Sequence, residues 1–291
     1  MTGRVKVACI QVSAGPDPAP NIASVGELVR RARDDGAEFI LTPENVVMIE
    51  PKRAPKFAKA EDEANPFAIT AFQELARETG AWLMAGSLAV KPGLRAAEDD
   101  RLANRSYLFD PEGRIAARYD KIHMFDVSLA NGESYRESAQ FRPGDQAVLA
   151  RTPWGVLGMT ICYDLRFPAL YRALAQAGAR LISIPSAFTV PTGRAHWHTL
   201  LRARAIETGC FVLAPAQTGT HTEGRKTYGH SLIVDPWGEI LADGGEEVGF
   251  VTAELDLAKI DEARRMVPSL GHDRPWNAPK LAEPAFRAAG E

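Results

Sequence analysis

The sequence predicts an α/β protein in which strands and helices alternate along the whole chain, and three observations carry that prediction. One pattern recurs four times: an amphipathic helix ends at a glycine, a small residue or cysteine follows, and a short apolar run comes next. Two hairpin-like segments lie among these repeats, each turning through a Pro- and Gly-containing tetrapeptide. No Ser/Gly-rich linker divides the 291 residues, so one large domain accommodates them.

Taken in order, the first strand is Val5–Gln11, followed by a Pro-rich loop over Gly15–Pro20. The repeats end at Gly36, Gly80, Gly178 and Gly209, where glycine suits a left-handed helix C-cap. The runs beginning at Phe39, Trp82, Leu181 and Phe211 are almost continuously hydrophobic, as strands buried on both faces require. Arg101–Asp110 and Arg114–Tyr119 flank the turn Asp110–Gly113, and Ser231–Asp235 and Glu239–Ala242 flank Asp235–Gly238. The polar tract Lys91–Asp100 reads as a loop. Gly155–Ile161 reads as a buried strand leading through Cys162 into a helix that begins near Phe167 or Pro168, and a further helix is expected over Arg194–Glu207. Two sheets packed face to face with helices outside would bury all these runs, and so would one wide sheet. The expected domain covers residues 1–270. A tail over 271–291, including Trp276, has no period, and packing on a partner subunit or running over the surface are both open to it.

A net charge of −3 gives no reason to expect nucleic acid or an anionic membrane as partner. The start of the chain lacks the apolar run of a signal peptide, and no later segment has the length of a membrane span. The three cysteines, Cys9, Cys162 and Cys210, form no disulfide framework, which makes a reducing, cytoplasmic setting the expectation. Cys9 and Cys210 sit inside apolar strands and read as inert core thiols.

Cys162 differs, because a thiol at a strand's carboxyl end and just before a helix occupies the place where α/β folds build their sites. Backbone N–H groups of that turn can hold a thiolate or an oxyanion. Glu44 follows the run Phe39–Pro43, where partial desolvation would raise its pKa toward the operating pH and make it a usable base and acid. Lys121 follows the strand Arg114–Asp120, where its ammonium would lower the pKa of Cys162 and stabilise charge on a substrate oxygen. Singly, each residue has an ordinary structural explanation; a thiol, a carboxylate and an ammonium all at strand ends do not. His196 and His198 stand two residues apart on one helix and face different ways, and the chain has no H-E-x-x-H, C-x-x-C, G-x-S-x-G or P-loop motif. Neither a metal nor an organic cofactor is expected.

Pro43-Glu44, Tyr119–His123 and Ile161–Phe167, in that order and spacing, resemble the Glu–Lys–Cys triad of the nitrilase (carbon–nitrogen hydrolase) superfamily. The likeness continues through Pro185–Phe188, Leu201–Glu207, Tyr228–Ser231 and Asp235–Gly238, so that it spans residues 4 to 270. The resemblance implies a four-layer α-β-β-α sandwich that forms homodimers or higher homo-oligomers. It is strongest toward the Nit branch, which hydrolyses small amides. It implies a second glutamate after the lysine, matched by Glu137 with Glu133 as a neighbouring competitor. It also implies that Arg166 grips an α-keto carboxylate, that Phe188 lines the acyl pocket and that the Tyr163 backbone N–H joins Lys121 in holding the oxyanion. The expected reaction is hydrolysis of an α-keto acid ω-amide through a thioester on Cys162, with deaminated glutathione as the leading substrate. Its alternatives are the ω-amidase reaction on 2-oxoglutaramate, a broader carbamoylase or aliphatic amidase, and a binding protein that kept the fold without catalysis.

Overall fold

The computed structural model describes residues 3–91, 93, 99–129 and 132–281. Most of the tract 91–100 and the tail beyond 281 lie outside the described residues.

The first half opens with β1 (Arg4–Gln11), α1 (Pro18–Asp34) and β2 (Phe39–Leu41), then α2 (Arg53–Lys59), α3 (Ala68–Thr79) and β3 (Trp82–Val90). The expected hairpin follows as β4 (Leu102–Phe109) and β5 (Ile115–Asp120). A small ribbon of β6 (Asp126–Ser128) and β7 (Ser134–Arg136) and the short β8 (Phe141–Arg142) complete this half. The second half begins with the antiparallel pair β9 (Val148–Thr152) and β10 (Gly155–Met159), then α4 (Pro168–Gln176), β11 (Ala179–Ser183), α5 (Val190–Thr208) and β12 (Phe211–Ala214). The ribbon β13 (Thr218–Thr220) and β14 (Lys226–Tyr228) precedes the second hairpin, β15 (Leu232–Val234) and β16 (Ile240–Asp243). The last elements are β17 (Gly249–Asp256) and α6 (Ala258–Met266). α5 starts four residues before the expected Arg194, because Pro191 suits a first helical turn.

The strands form two sheets. One has the order β17-β1-β2-β3-β4-β5 with β8 beside β4, and the other β16-β15-β12-β11-β10-β9. In each, three parallel strands (β1, β2, β3 and β10, β11, β12) are flanked by antiparallel neighbours. The alternation of side chains sorts the first sheet's residues between two cores. Val7, Cys9, Phe39, Leu41 and Met84 meet Leu157, Met159, Leu181 and Leu213 of the second sheet. Ala8, Ile10, Ile40 and Leu83 point the other way, onto Val25, Val29, Phe72 and Leu75 of α1 and α3. α4 and α5 cover the second sheet's outer face with Tyr171, Leu174, Trp197 and Leu201. The layers are therefore α-β-β-α, and the choice that the apolar runs left open falls to the sandwich.

The four glycines behave as the repeat predicts. Gly36, Gly80, Gly178 and Gly209 all have positive φ, between 58° and 103°. His272 to Leu281 form neither helix nor strand. Asp273 pairs with Arg172 at 2.6 Å, whereas Trp276 is largely exposed. No helix among the described residues is long and apolar enough to cross a membrane.

Candidate active site

Glu44, Lys121 and Cys162 do converge. Parallel pairing of β1, β2 and β3 brings the carboxyl end of β2 beside the middle of β3, and Glu44 leaves the sheet there, buried. Lys121 comes directly after β5, its N–H bonded to the Asn104 carbonyl at 2.9 Å, and is 1% exposed. Its Nζ donates to Glu44 Oε1 at 2.9 Å and to both oxygens of Glu137, at 3.0 and 2.9 Å. Glu137, at the start of a 3₁₀ turn, also accepts the Phe125 N–H at 2.7 Å. Glu133 bonds the Tyr135 hydroxyl, so the contact with Lys121 belongs to Glu137.

Cys162 begins the 3₁₀ turn Cys162–Arg166 with φ +49°, a left-handed conformation rare for a residue with a Cβ. The strain is held in place by Asp164. This fully buried carboxylate accepts from the Ile161 N–H (2.9 Å), the Tyr119 hydroxyl (2.7 Å) and the His123 N–H (3.0 Å). The turn carrying the thiol is thereby tied to the strand end carrying Lys121.

The electrostatics correct two expectations. Burial does push the Glu44 carboxyl upward, but the Lys121 charge and hydrogen bonds from Lys121 and Cys162 outweigh it, so its pKa lies below the usual 4.5. The Cys162 thiol is pushed up, by burial first and the Glu44 charge second; Lys121 opposes both and loses. Burial disfavours the Lys121 ammonium, yet Glu137 and Glu44 together hold its pKa well above the ordinary value. The resting site is therefore a neutral thiol beside an ionised carboxylate. It is arranged for proton transfer during attack, with no standing thiolate.

These groups line one cavity of about 490 Å³, within the usual size of a small-molecule site. Tyr163 and Phe188 line it as expected, Phe188 resting 4.8 Å from the Trp197 ring. Arg166 does not line it, contrary to expectation. Its guanidinium lies 5.4 Å from the Phe188 ring and 5.8 Å from that of Tyr163, with Nη1 3.3 Å from His196 Nδ1.

Two positioning residues went unread in the sequence. Asn104, in the interior of β4, donates Nδ2 to Glu44 at 3.0 Å and to Glu137 at 3.1 Å. Gln217, fully buried, donates to the Glu44 carbonyl at 3.0 Å. Both look like ordinary polar strand residues until their partners are known. The structure also gathers His198, His230 and Asp243, outside the catalytic cavity's lining, with ligand atoms within 4.8 Å of one another. Asp243 hydrogen-bonds both imidazoles, at 3.0 and 2.9 Å, so the three already satisfy one another. Cys9 and Cys210 are fully buried, their thiols pushed up by burial.

Comparison with known proteins assigns the chain's family. The carbon-nitrogen hydrolase family pattern matches residues 6–265. A deaminated glutathione amidase of Yersinia enterocolitica is 39% identical over 269 residues, 92% of each chain. The Homo sapiens deaminated glutathione amidase is 40% identical over 270 residues, 92% of this chain and 82% of that one. The crystal structure of the Caenorhabditis elegans NitFhit protein superposes with a TM-score of 0.87 at 38% identity, over 94% of this chain and 66% of that one. The chain belongs to the carbon–nitrogen hydrolase family, as an amidohydrolase acting on C–N bonds other than peptide bonds.

Proposed function

We propose that the protein hydrolyses an ω-amide of an α-keto acid, with deaminated glutathione as substrate, through a thioester on Cys162. The observation that carries the chemistry is Lys121, held between Glu44 and Glu137 on the wall of the cavity that Cys162 lines. Glu44 takes the thiol proton as sulfur attacks the amide carbon, and the oxyanion is held by Lys121 and the Tyr163 N–H. The C–N bond breaks as Glu44 returns the proton to the departing amine. Water, deprotonated by the same carboxylate, then attacks the thioester, releasing the acid and restoring the thiol. Glu137 positions Lys121. The two relatives named above support the choice of substrate.

A panel of ω-amides that includes deaminated glutathione and 2-oxoglutaramate, followed by mass spectrometry, tests the reading. Deaminated glutathione is expected to have the highest kcat/KM, and Cys162→Ala to be inactive toward all. A higher value for 2-oxoglutaramate would make the protein an ω-amidase, and near-normal turnover by Cys162→Ala would end the thioester scheme. Three free, buried cysteines support a reducing, cytoplasmic setting, and the exposed Ile206 and Trp237 support a homo-oligomer, to be checked by light scattering.

A further inference from the structure

Two cations in the catalytic cavity have no part in the chemistry just described. Lys56 enters from α2 and Arg225 from the residue before β14. The acidic groups near them are engaged, Glu44 and Glu137 with Lys121, Glu50 with Lys59 at 3.6 Å, Glu223 with Lys52 at 3.2 Å and Glu133 with Tyr135, and the remaining cation of the lining, Arg136, is exposed at the rim. Among the described residues neither Lys56 nor Arg225 has a carboxylate within ion-pair distance.

Arg225 is held as a binding group would be. Its Nη2 donates to the Ala187 carbonyl at 3.1 Å, and its guanidinium lies 5.4 Å from the centre of the Tyr135 ring. Its Nε is out of solvent with no acceptor. Buried donors are rarely left in that state, and a ligand oxygen would complete it. Ala187 also contacts the nucleophile through its backbone, so this wall adjoins the reacting sulfur. Lys56 lies with its ammonium 5.2 Å from the Phe141 ring centre, and among the described residues that ammonium has no hydrogen-bond or ion-pair partner. Burial first, and then the Arg225 charge, hold its pKa down to about 8 against the opposing pull of Glu137 and Glu50. Two like charges close enough to disturb each other in a half-dry cavity are a standing cost that an anion touching both would remove.

We infer that Lys56 and Arg225 form a carboxylate-binding subsite in the catalytic cavity, which grips a substrate carboxylate remote from the scissile amide and selects anionic over neutral amides. The inference rests on the amidase reading and names the residues that set its selectivity. It also supplies the carboxylate grip expected of Arg166, which is not among the residues lining the cavity. The carboxylate can belong to the acyl chain or to the departing amine; both present the same planar anion to a guanidinium fork and an ammonium.

The test uses the whole enzyme and two matched pairs of amides. In one pair the acyl chain ends in a carboxylate or in its carboxamide; in the other the departing amine is glycine or glycinamide. For at least one pair, Lys56→Gln and Arg225→Gln are each expected to lower the anion-to-neutral ratio of kcat/KM by about tenfold or more, mainly through KM. Lys56→Arg, which keeps the charge, is expected to retain the ratio within about threefold. The pair that responds identifies which side of the substrate the subsite holds. Melting curves of each variant confirm folding, and because the readout is a ratio, a partial loss of active enzyme cancels. Ratios that stay within about twofold of wild type in both pairs and both Gln variants overturn the subsite alone. Failure of the wild type to hydrolyse any of the four amides would overturn the amidase reading, and the subsite with it.

Discussion

Glu44 and Lys121 are each buried in a place that disfavours their charge, and each is kept charged by the other. Linkage gives this a sign. Glu44, with a folded pKa below 4.5, contributes stability that is complete above that value and is lost as pH falls through the folded pKa. Lys121, raised above 10.5, contributes stability that is complete below that value and is lost as pH rises through its folded pKa. Lys121→Met strands the buried Glu44 carboxylate and the partly buried Glu137 and is expected to cost about 3–5 kcal/mol at neutral pH in denaturant titrations. Burial, the largest single influence on Glu44, is then opposed only by the Cys162 hydrogen bond and the Arg225 charge, so the variant should become more stable as pH is lowered from 7 to 5. Wild type has no such gain from Glu44, and a variant with wild-type pH dependence would contradict the balance described. Asn104→Ala removes the amide shared by the two glutamates. Steady-state kinetics should show kcat reduced about 10–100-fold with KM changed far less, since the loss is one of alignment. At this scale the sequence revealed position better than state. Glu44, Lys121 and Cys162 could be found because each follows an apolar run. The pKa directions, Asn104, Asp164 and the place of Arg166 depend on distances between separate segments of the chain, and no local pattern encodes them.

The elements that deliver these residues touch at Gly86 in β3. A Cβ built there would lie 1.9 Å from the Thr42 carbonyl oxygen, 2.5 Å from that of Pro43 and 2.6 Å from Cβ of Pro185. Thr42 and Pro43 lead into Glu44, and the Pro185 carbonyl accepts the Cys162 N–H at 3.0 Å. Gly86→Ala therefore pushes apart the two strand ends that carry base and nucleophile. Overpacking of this kind costs about 1–3 kcal/mol or more, and here it should lower both Tm and kcat. Scanning calorimetry with a turnover assay checks it, and an unchanged kcat would mean that the backbone moves elsewhere. Elements were the most legible level of this chain. Gly36, Gly80, Gly178 and Gly209 were identified as helix stops by residue type, and their positive φ follows from that role. Gly86 stands near the repeated Gly-Ala motif of the 77–86 segment and carries no local sign of its contact with Pro185, which lies on the other sheet's side of the molecule.

The order of layers was harder to read than the layers themselves. A strand buried on both faces is apolar at every position, so its sequence does not say which face meets a sheet and which meets a helix. Only the sorting of Val7, Cys9, Phe39 and Leu41 against Ala8, Ile10 and Ile40 shows it. The same architecture distributes the machinery between two stretches of chain. Base, ammonium and the positioning residues Asn104 and Glu137 precede Asp145, whereas the thiol, Asp164 and the positioning residue Gln217 follow Ala147, and residues 145–147 between them are exposed. A break at that point leaves each piece with half of a reagent set and with a bare apolar sheet face, and it parts β1 in the first piece from its partner β17 in the second. Co-produced fragments 1–145 and 146–291 should therefore regain turnover when they associate and show none apart, which would make the protein a split reporter whose signal depends on the two pieces re-forming the β1–β17 pair and the interface between the sheets.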